Sequence, residues 1–226
     1  MINKEDFIDS LKSAKKSWMN KSRNEIVCLL GNNIAIMQGF DQQNPHHCFD
    51  LFVHSLTTVD NIEYRENYLL LVAAFLHDIG KPSVAKKKKD RLVFYGHAMK
   101  SAEIAKNILR KMNFSDGDIE LIIFYIIHHD DFISYILPEE VTDSTNEHQI
   151  VINKENIDKY IDRLVKQNHN FFNKYNVMDI LENVLDLCVA DVKSQAPKVY
   201  MNNILVDSME HKLLKLKRIR KLIERK

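Results

Sequence analysis

Tyr68–Pro82 reads YLLLVAAFLHDIGKP, an apolar run closed by a histidine, an aspartate, a glycine and a proline. From Tyr68 to Leu76 the run is apolar almost all round, which predicts a helix buried in the middle of the fold rather than one lying on its surface. Gly80 and Pro82 end it, so His77 and Asp78 fall in its last turn. A carboxylate in such surroundings is costly unless it is paired, hydrogen-bonded or bound to a cation. The rest of the chain therefore has to supply partners for Asp78.

On the N-terminal side, Cys48–Ile62 (CFDLFVHSLTTVDNI) carries Phe49, Phe52, Val53 and Leu56 as a helical stripe, with His54 inside the helix. Gln42–Pro45 is turn-rich, and the opening stretch to Gln38 predicts two short helices broken at Gly31 and Asn32. On the C-terminal side, SVAKKKKDRLVFYG is a charged loop with a short extended piece. HAMKSAEIAKNILRKM then resumes an amphipathic helix. Ser115–Asp118 forms a cap ahead of IELIIFYIIHHDD, a second strongly apolar helix that ends in His128, His129 and Asp130. Glu139–Gln149 reads as a polar loop, and Asn153 caps the helix KENIDKYIDRLVKQ. VMDILENVLDLCVADVKSQAP predicts another buried helix, with Asp191 near its end. LLKLKRIRKLIERK is a basic terminal helix whose Leu/Ile face packs on the domain.

Five glycines and four prolines in 226 residues are too few for the many tight turns of a sandwich or barrel, so the expected class is all-α. With 45% hydrophobic residues the chain can bury a core as one globular unit. A net charge of +1 gives no global reason to expect a nucleic-acid-coating protein. Cys28, Cys48 and Cys188 are odd in number and lack CxxC spacing, which argues against a disulfide framework or a thiolate zinc site and for a reducing cytosol. The N-terminus has no apolar signal core, and no run is long enough to span a bilayer. A cytoplasmic protein without a membrane partner is expected.

His54, the pair His77-Asp78, the pair His128-His129 and Asp191 each put a metal-competent group on or beside an apolar helix. Neutral imidazoles and carboxylates are the donors expected of a hydrolytic zinc, manganese, iron, cobalt or nickel site. Neighbours on a helix point about 100° apart, so His128 and His129 would not both hold one ion.

In their order these residues resemble the HD-domain superfamily of metal-dependent phosphohydrolases, roughly from Pro45 to Pro197. The matching elements are His54, HDIGKP (His77–Pro82), GHAMKSA (Gly96–Ala102), HHD (His128–Asp130) and the late pair Ala190-Asp191. HDIGKP followed by GHAMKSAEIAKNIL is similar to the HDIG-type domain attached to bacterial CCA-adding tRNA nucleotidyltransferases and to its stand-alone relatives. No nucleotidyltransferase domain is read ahead of it, so CCA addition is not implied. The absence of a GYP element argues against a cyclic-di-GMP phosphodiesterase.

The resemblance implies an HD-domain helical bundle with helical extensions: residues 1–40 as an N-terminal extension, 41–200 as the phosphohydrolase domain and 201–226 as the basic helix packed on it. It implies that His54, His77, Asp78 and Asp191 hold a first divalent ion. His97 and one of His128 and His129 would hold a second, with Asp78 bridging; the usual xHD spelling favours His129. One or two ions among manganese, nickel, cobalt, iron, zinc and magnesium are expected. The implied reaction is hydrolysis of a phosphomonoester or phosphodiester of a nucleotide or RNA end by a metal-activated water. Asp78 and Lys81 would be catalytic, and Lys81, Lys100 and His97 would touch substrate, with Lys81 a fixed positive charge on phosphate oxygens. The loop residues His46 and His47 are expected to be solvated, with lining of the substrate mouth the alternative, and Lys86–Lys89 form a solvated run able to steer anions. Two other functions fit the same residues: a nucleotide-binding module without turnover, and a binuclear-iron oxygenase.

Overall fold

The computed structural model describes residues 4–13, 32–89, 91–134, 139–142, 148–201 and 204–224. Residues 14–31, which carry much of the first of the two expected N-terminal helices as well as Cys28 and Gly31, lie outside them. The longer helices are α1 (Lys4–Ser13), α3 (Leu51–Asp60), α4 (Tyr68–Leu76), α6 (His97–Lys111), α7 (Asp116–His128), α9 (Lys154–Gln167), α11 (Val177–Lys193) and α12 (Ser208–Ile223). Short helical turns lie between them: α2 (Asn32–Ala35), α5 (Lys81–Val84), α8 (Asp131–Ser134) and α10 (His169–Phe172).

Starts are set by side chains that accept from the first free amides. Asp50, Asn67, Ser115, Asn153, Asn176 and Asp207 each do so, for Val53, Leu70, Asp118, Asn156, Met178 with Asp179, and Glu210 respectively. The cap at Asp207 starts α12 at Ser208, ahead of the apolar stripe from Leu213 that betrays it in the sequence. Helix α4 is the centre of the bundle. Every residue from Leu70 to Leu76 is buried, and the helix packs against α1, α3, α7 and α11. Its ring of contacts explains why the run is apolar on all sides. Helix α12 lies on α11 and α9, burying Leu216, Ile219 and Ile223.

Helix does not account for all of the described chain. Three antiparallel hairpins occur among the described residues: β1 (Lys86–Lys88) with β2 (Arg91–Val93), β3 (Glu139–Thr142) with β4 (His148–Val151), and β5 (Val199–Met201) with β6 (Ile204–Val206). The first contains the extended piece expected after Ser83. The second replaces the polar loop read at Glu139–Gln149. There the β-branched Val141, Thr142, Ile150 and Val151 favour extended backbone, and antiparallel pairing satisfies the amides that face the partner strand although the stretch lacks an alternating apolar pattern.

Gly80 ties the turn after α4 to α6. Its amide donates to Ser101 Oγ at 2.9 Å, and a Cβ on it would lie 2.5 Å from the Ser101 nitrogen and 2.8 Å from the His97 oxygen. Those obstacles are backbone atoms, which cannot swing aside. Gly80→Ala is therefore expected to destabilise the fold by about 1–3 kcal/mol or more, read from the urea midpoint. Gly117→Ala is the control: its Cβ would meet nothing closer than Tyr175 Oη at 3.7 Å, and it should leave the midpoint unchanged or raised.

Candidate metal centre

Five separate segments bring their polar groups to one buried point beside the end of α4. Helix α3 supplies His54, the turn after α4 supplies His77 and Asp78, the start of α6 supplies His97, the end of α7 supplies His129, and α11 supplies Asp191. His54, His77, Asp78, His129 and Asp191 are all buried, and His97 is half-buried.

The imidazoles are oriented alike. His54 Nδ1 lies 3.3 Å from the Ser194 carbonyl, His77 Nδ1 2.8 Å from that of Ala74, His97 Nδ1 3.0 Å from that of Phe94, and His129 Nδ1 2.7 Å from that of Ile126. A carbonyl oxygen only accepts, so each Nδ1 carries the proton and donates it. In a neutral ring the Nε2 lone pair is then left for the site, the arrangement by which histidine ligands are fixed in metal proteins. His97 Nε2 and His129 Nε2 stand 3.3 Å apart, two lone pairs face to face unless something positive lies with them.

Asp78 joins the two halves of the cluster. Its Oδ2 lies 3.1 Å from His77 Nε2 and 3.5 Å from His54 Nε2, while its Oδ1 lies 3.4 Å from His97 Nε2 and 3.7 Å from His129 Nε2. Asp191 Oδ1 approaches His54 Nε2 at 3.0 Å and His77 Nε2 at 3.7 Å. These approaches are close, yet His54 Nε2, His77 Nε2, Asp78 Oδ1 and Asp191 Oδ1 are buried without a well-angled hydrogen bond. Buried polar atoms normally have one, and four orphans at one point need a common partner. Donor atoms of His54, His77 and Asp191 lie within 4.8 Å of one another, as do those of His77, Asp78 and His129. The donor set fits a divalent cation, with imidazole nitrogen and carboxylate oxygen both present.

Electrostatics agree with that fit. Burial works to raise the Asp78 carboxyl, but the charges of His77 and Lys81 outweigh it and hold Asp78 ionised well below the usual range. Asp191 is likewise held low by the close approach and charge of His54 and His77 against the effect of burial. Burial, with His77 beside it, pulls the His129 imidazole down to about 3 and keeps it neutral. Against the effect of burial, the same two carboxylates raise His77 to about 10 and His54 above its ordinary value, so beside the Lys81 ammonium either protons on these rings or a divalent cation can balance them.

Lys81 Nζ sits 2.6 Å from Asp78 Oδ2 and 2.9 Å from Gln42 Oε1, on the wall of a cavity of about 910 Å3 that also meets His47 and His97. Of the other positions singled out in the sequence, His128 is not brought into the cluster. Its Nδ1 bonds Asp131 Oδ2 at 2.6 Å, because one step along the helix from His129 turns it toward α8 and α9. Lys100 pairs with Glu103 rather than facing the site. His46 meets Ser208 Oγ at 3.2 Å and so ties the loop to α12, whereas His47 packs edge-on against His54 with ring centres 4.9 Å apart. Lys86, Lys87, Lys88 and Lys89 are exposed on the first hairpin and its turn.

Residues that the sequence did not mark also support the site. Gln42 lies in a stretch legible only as a turn, yet it is buried and holds Lys81. Gln195 donates to Asp191 at 3.2 Å and accepts from Lys212 at 2.6 Å, a relay that braces Asp191 from α12.

Residues 51–195 match the HD domain family, and the chain belongs to that family. Its members are generally metal-dependent hydrolases. No curated protein matches the chain.

An ion that binds only the folded chain raises stability by about 2.7 kcal/mol at a hundredfold excess over Kd. Manganese or nickel should therefore raise the melting temperature of protein stripped with EDTA. The rise should vanish in His54→Ala and Asp191→Ala and persist in His128→Ala, as read by differential scanning calorimetry.

Proposed function

We propose that this chain is a metal-dependent phosphohydrolase that cleaves a phosphomonoester or phosphodiester of a nucleotide or RNA end. The observation that carries the reading is the set of imidazoles with Nδ1 fixed on backbone carbonyls and Nε2 turned, with two carboxylates, toward one buried point beside a large cavity. His54, His77, Asp78 and Asp191 would hold one divalent ion, and Asp78, His97 and His129 a second. When bound, such an ion would lower the pKa of a water on it toward neutrality and so provide the nucleophile.

The chain's own groups account for the rest. Asp78 presents one oxygen to each half of the cluster, so a single carboxylate fixes the spacing of both. Gln42 and the Phe94 ring, 5.5 Å from Lys81 Nζ, keep that ammonium at the cavity wall, where it meets phosphate oxygens and stabilises charge growing on them. The apolar wall of α4 and α7 keeps bulk water from the inner side of the centre, which strengthens each of these interactions. The likeness of HDIGKP and GHAMKSAEIAKNIL to the HD domain of CCA-adding enzymes favours RNA ends within the substrate range.

The test is a matrix of metal against substrate. Protein stripped with EDTA and reloaded with manganese, nickel, cobalt, magnesium, zinc or iron is assayed on bis-p-nitrophenyl phosphate, p-nitrophenyl phosphate, nucleotides and 3′-phosphorylated RNA. Turnover is expected with at least one metal, and Asp78→Ala should abolish it. Lys81→Ala should retain bound metal and lose about 100- to 1,000-fold in kcat, the scale of one lost electrostatic contact in a transition state. Full metal occupancy with no turnover on any phosphoester would contradict the proposal and leave a binding module.

A further inference from the structure

The cavity beside the centre is larger than a single phosphate needs. At about 910 Å3 it lies near the top of the range of roughly 300–1,000 Å3 found for sites that enclose whole small molecules. It reaches from Lys81 and His97 to Arg163 on α9, and Arg91 on β2 also lines it.

These two arginines are uncommitted. Arg220 is clamped by Glu182 and Asp186, and Arg65 donates to the carbonyls of Val59 and Lys12. Arg91 and Arg163, by contrast, have no carboxylate partner among the described residues. The same wall carries two carboxylates, Asp130 and Asp131, but no ion pair joins either to these arginines, and Asp131 Oδ2 takes His128 Nδ1 at 2.6 Å and the Tyr160 hydroxyl at 2.8 Å. The Arg163 guanidinium instead rests 5.9 Å from the centre of the Tyr160 ring, which limits its freedom without using its donors. Tyr95, 73% exposed, adds an open aromatic surface to the same cavity, and Lys86–Lys88, on the strand paired with that of Arg91, add positive field at its rim.

We propose that Arg91 and Arg163 form a subsite for a second phosphate, remote from the one cleaved, so that the substrate class is a nucleotide bearing at least two separated phosphates. This deepens the phosphohydrolase reading and rests on it for the position of the scissile group. Guanidinium donors match phosphate oxygens in pairs, so they distinguish a second phosphate from a hydroxyl at the same place.

The subsite needs no metal, which allows it to be tested apart from catalysis. Isothermal titration of the full chain in EDTA with adenosine 3′,5′-bisphosphate and with adenosine 5′-monophosphate gives the ratio of the two Kd values. A preference for the bisphosphate of about tenfold or more is expected, reduced in Arg91→Gln and in Arg163→Gln and falling toward one in the double variant. Both side chains are exposed, so the variants should fold. Equal affinities in the unaltered chain, no measurable binding of the bisphosphate, or a ratio unmoved in the double variant would overturn the subsite. An arginine-dependent preference in a chain that hydrolyses no phosphoester with any metal would sustain the subsite and sink the hydrolase reading.

Discussion

The structure depends on placing the Asp78 carboxylate, almost wholly enclosed by protein, at the end of an apolar helix. An isolated ionised carboxyl group there would cost several kcal/mol. The fold meets that demand by surrounding Asp78 with Lys81 and four imidazoles drawn from α3, α6, α7 and the turn after α4. The cluster is thus a requirement of the buried charge as well as a site for chemistry. Two carboxylates meet one ammonium and four imidazoles there, and a divalent cation would take the place of the protons that His54 and His77 otherwise hold.

Holding such a cluster requires that each donor be fixed from behind. The four Nδ1–carbonyl bonds do this for the histidines. For His77, His97 and His129 the carbonyl lies three residues earlier in the same local segment, so the end or start of the helix itself orients the ring. His54 differs, since its carbonyl comes from Ser194 beyond α11. Ser194 in turn accepts from Asn61 and donates to Ala190, so α3 and α11 are locked together at the point where His54 and Asp191 meet. Gly80 against Ser101 performs the same task between the turn after α4 and α6.

The helices and the site were legible to different degrees. Helix α4 and its buried position followed from an apolar run without a polar face, and the amphipathic stripes marked α6, α9 and α12. The order of metal-competent residues on apolar helices pointed to one centre before any geometry was known. Choosing between His128 and His129 needed coordinates, because the two differ only by one step around a helix and each has a carboxylate or carbonyl to satisfy it. Gln42, Gln195, Arg91 and Arg163 were hidden for another reason. Polar residues in turns, helix ends and exposed faces are ordinary, and only the fold reveals which of them border a buried charge or a cavity. The hairpin β3–β4 was missed because its pairing comes from backbone bonds between segments that show no apolar alternation.

The central claim is that one divalent cation sits among His54, His77, Asp78 and Asp191. Anomalous diffraction from crystals of the full chain soaked in manganese tests it directly. A peak within bonding distance of His54 Nε2, His77 Nε2 and both carboxylates is the predicted result. Peaks confined to other places, with that cluster bridged only by water or protons, would contradict it.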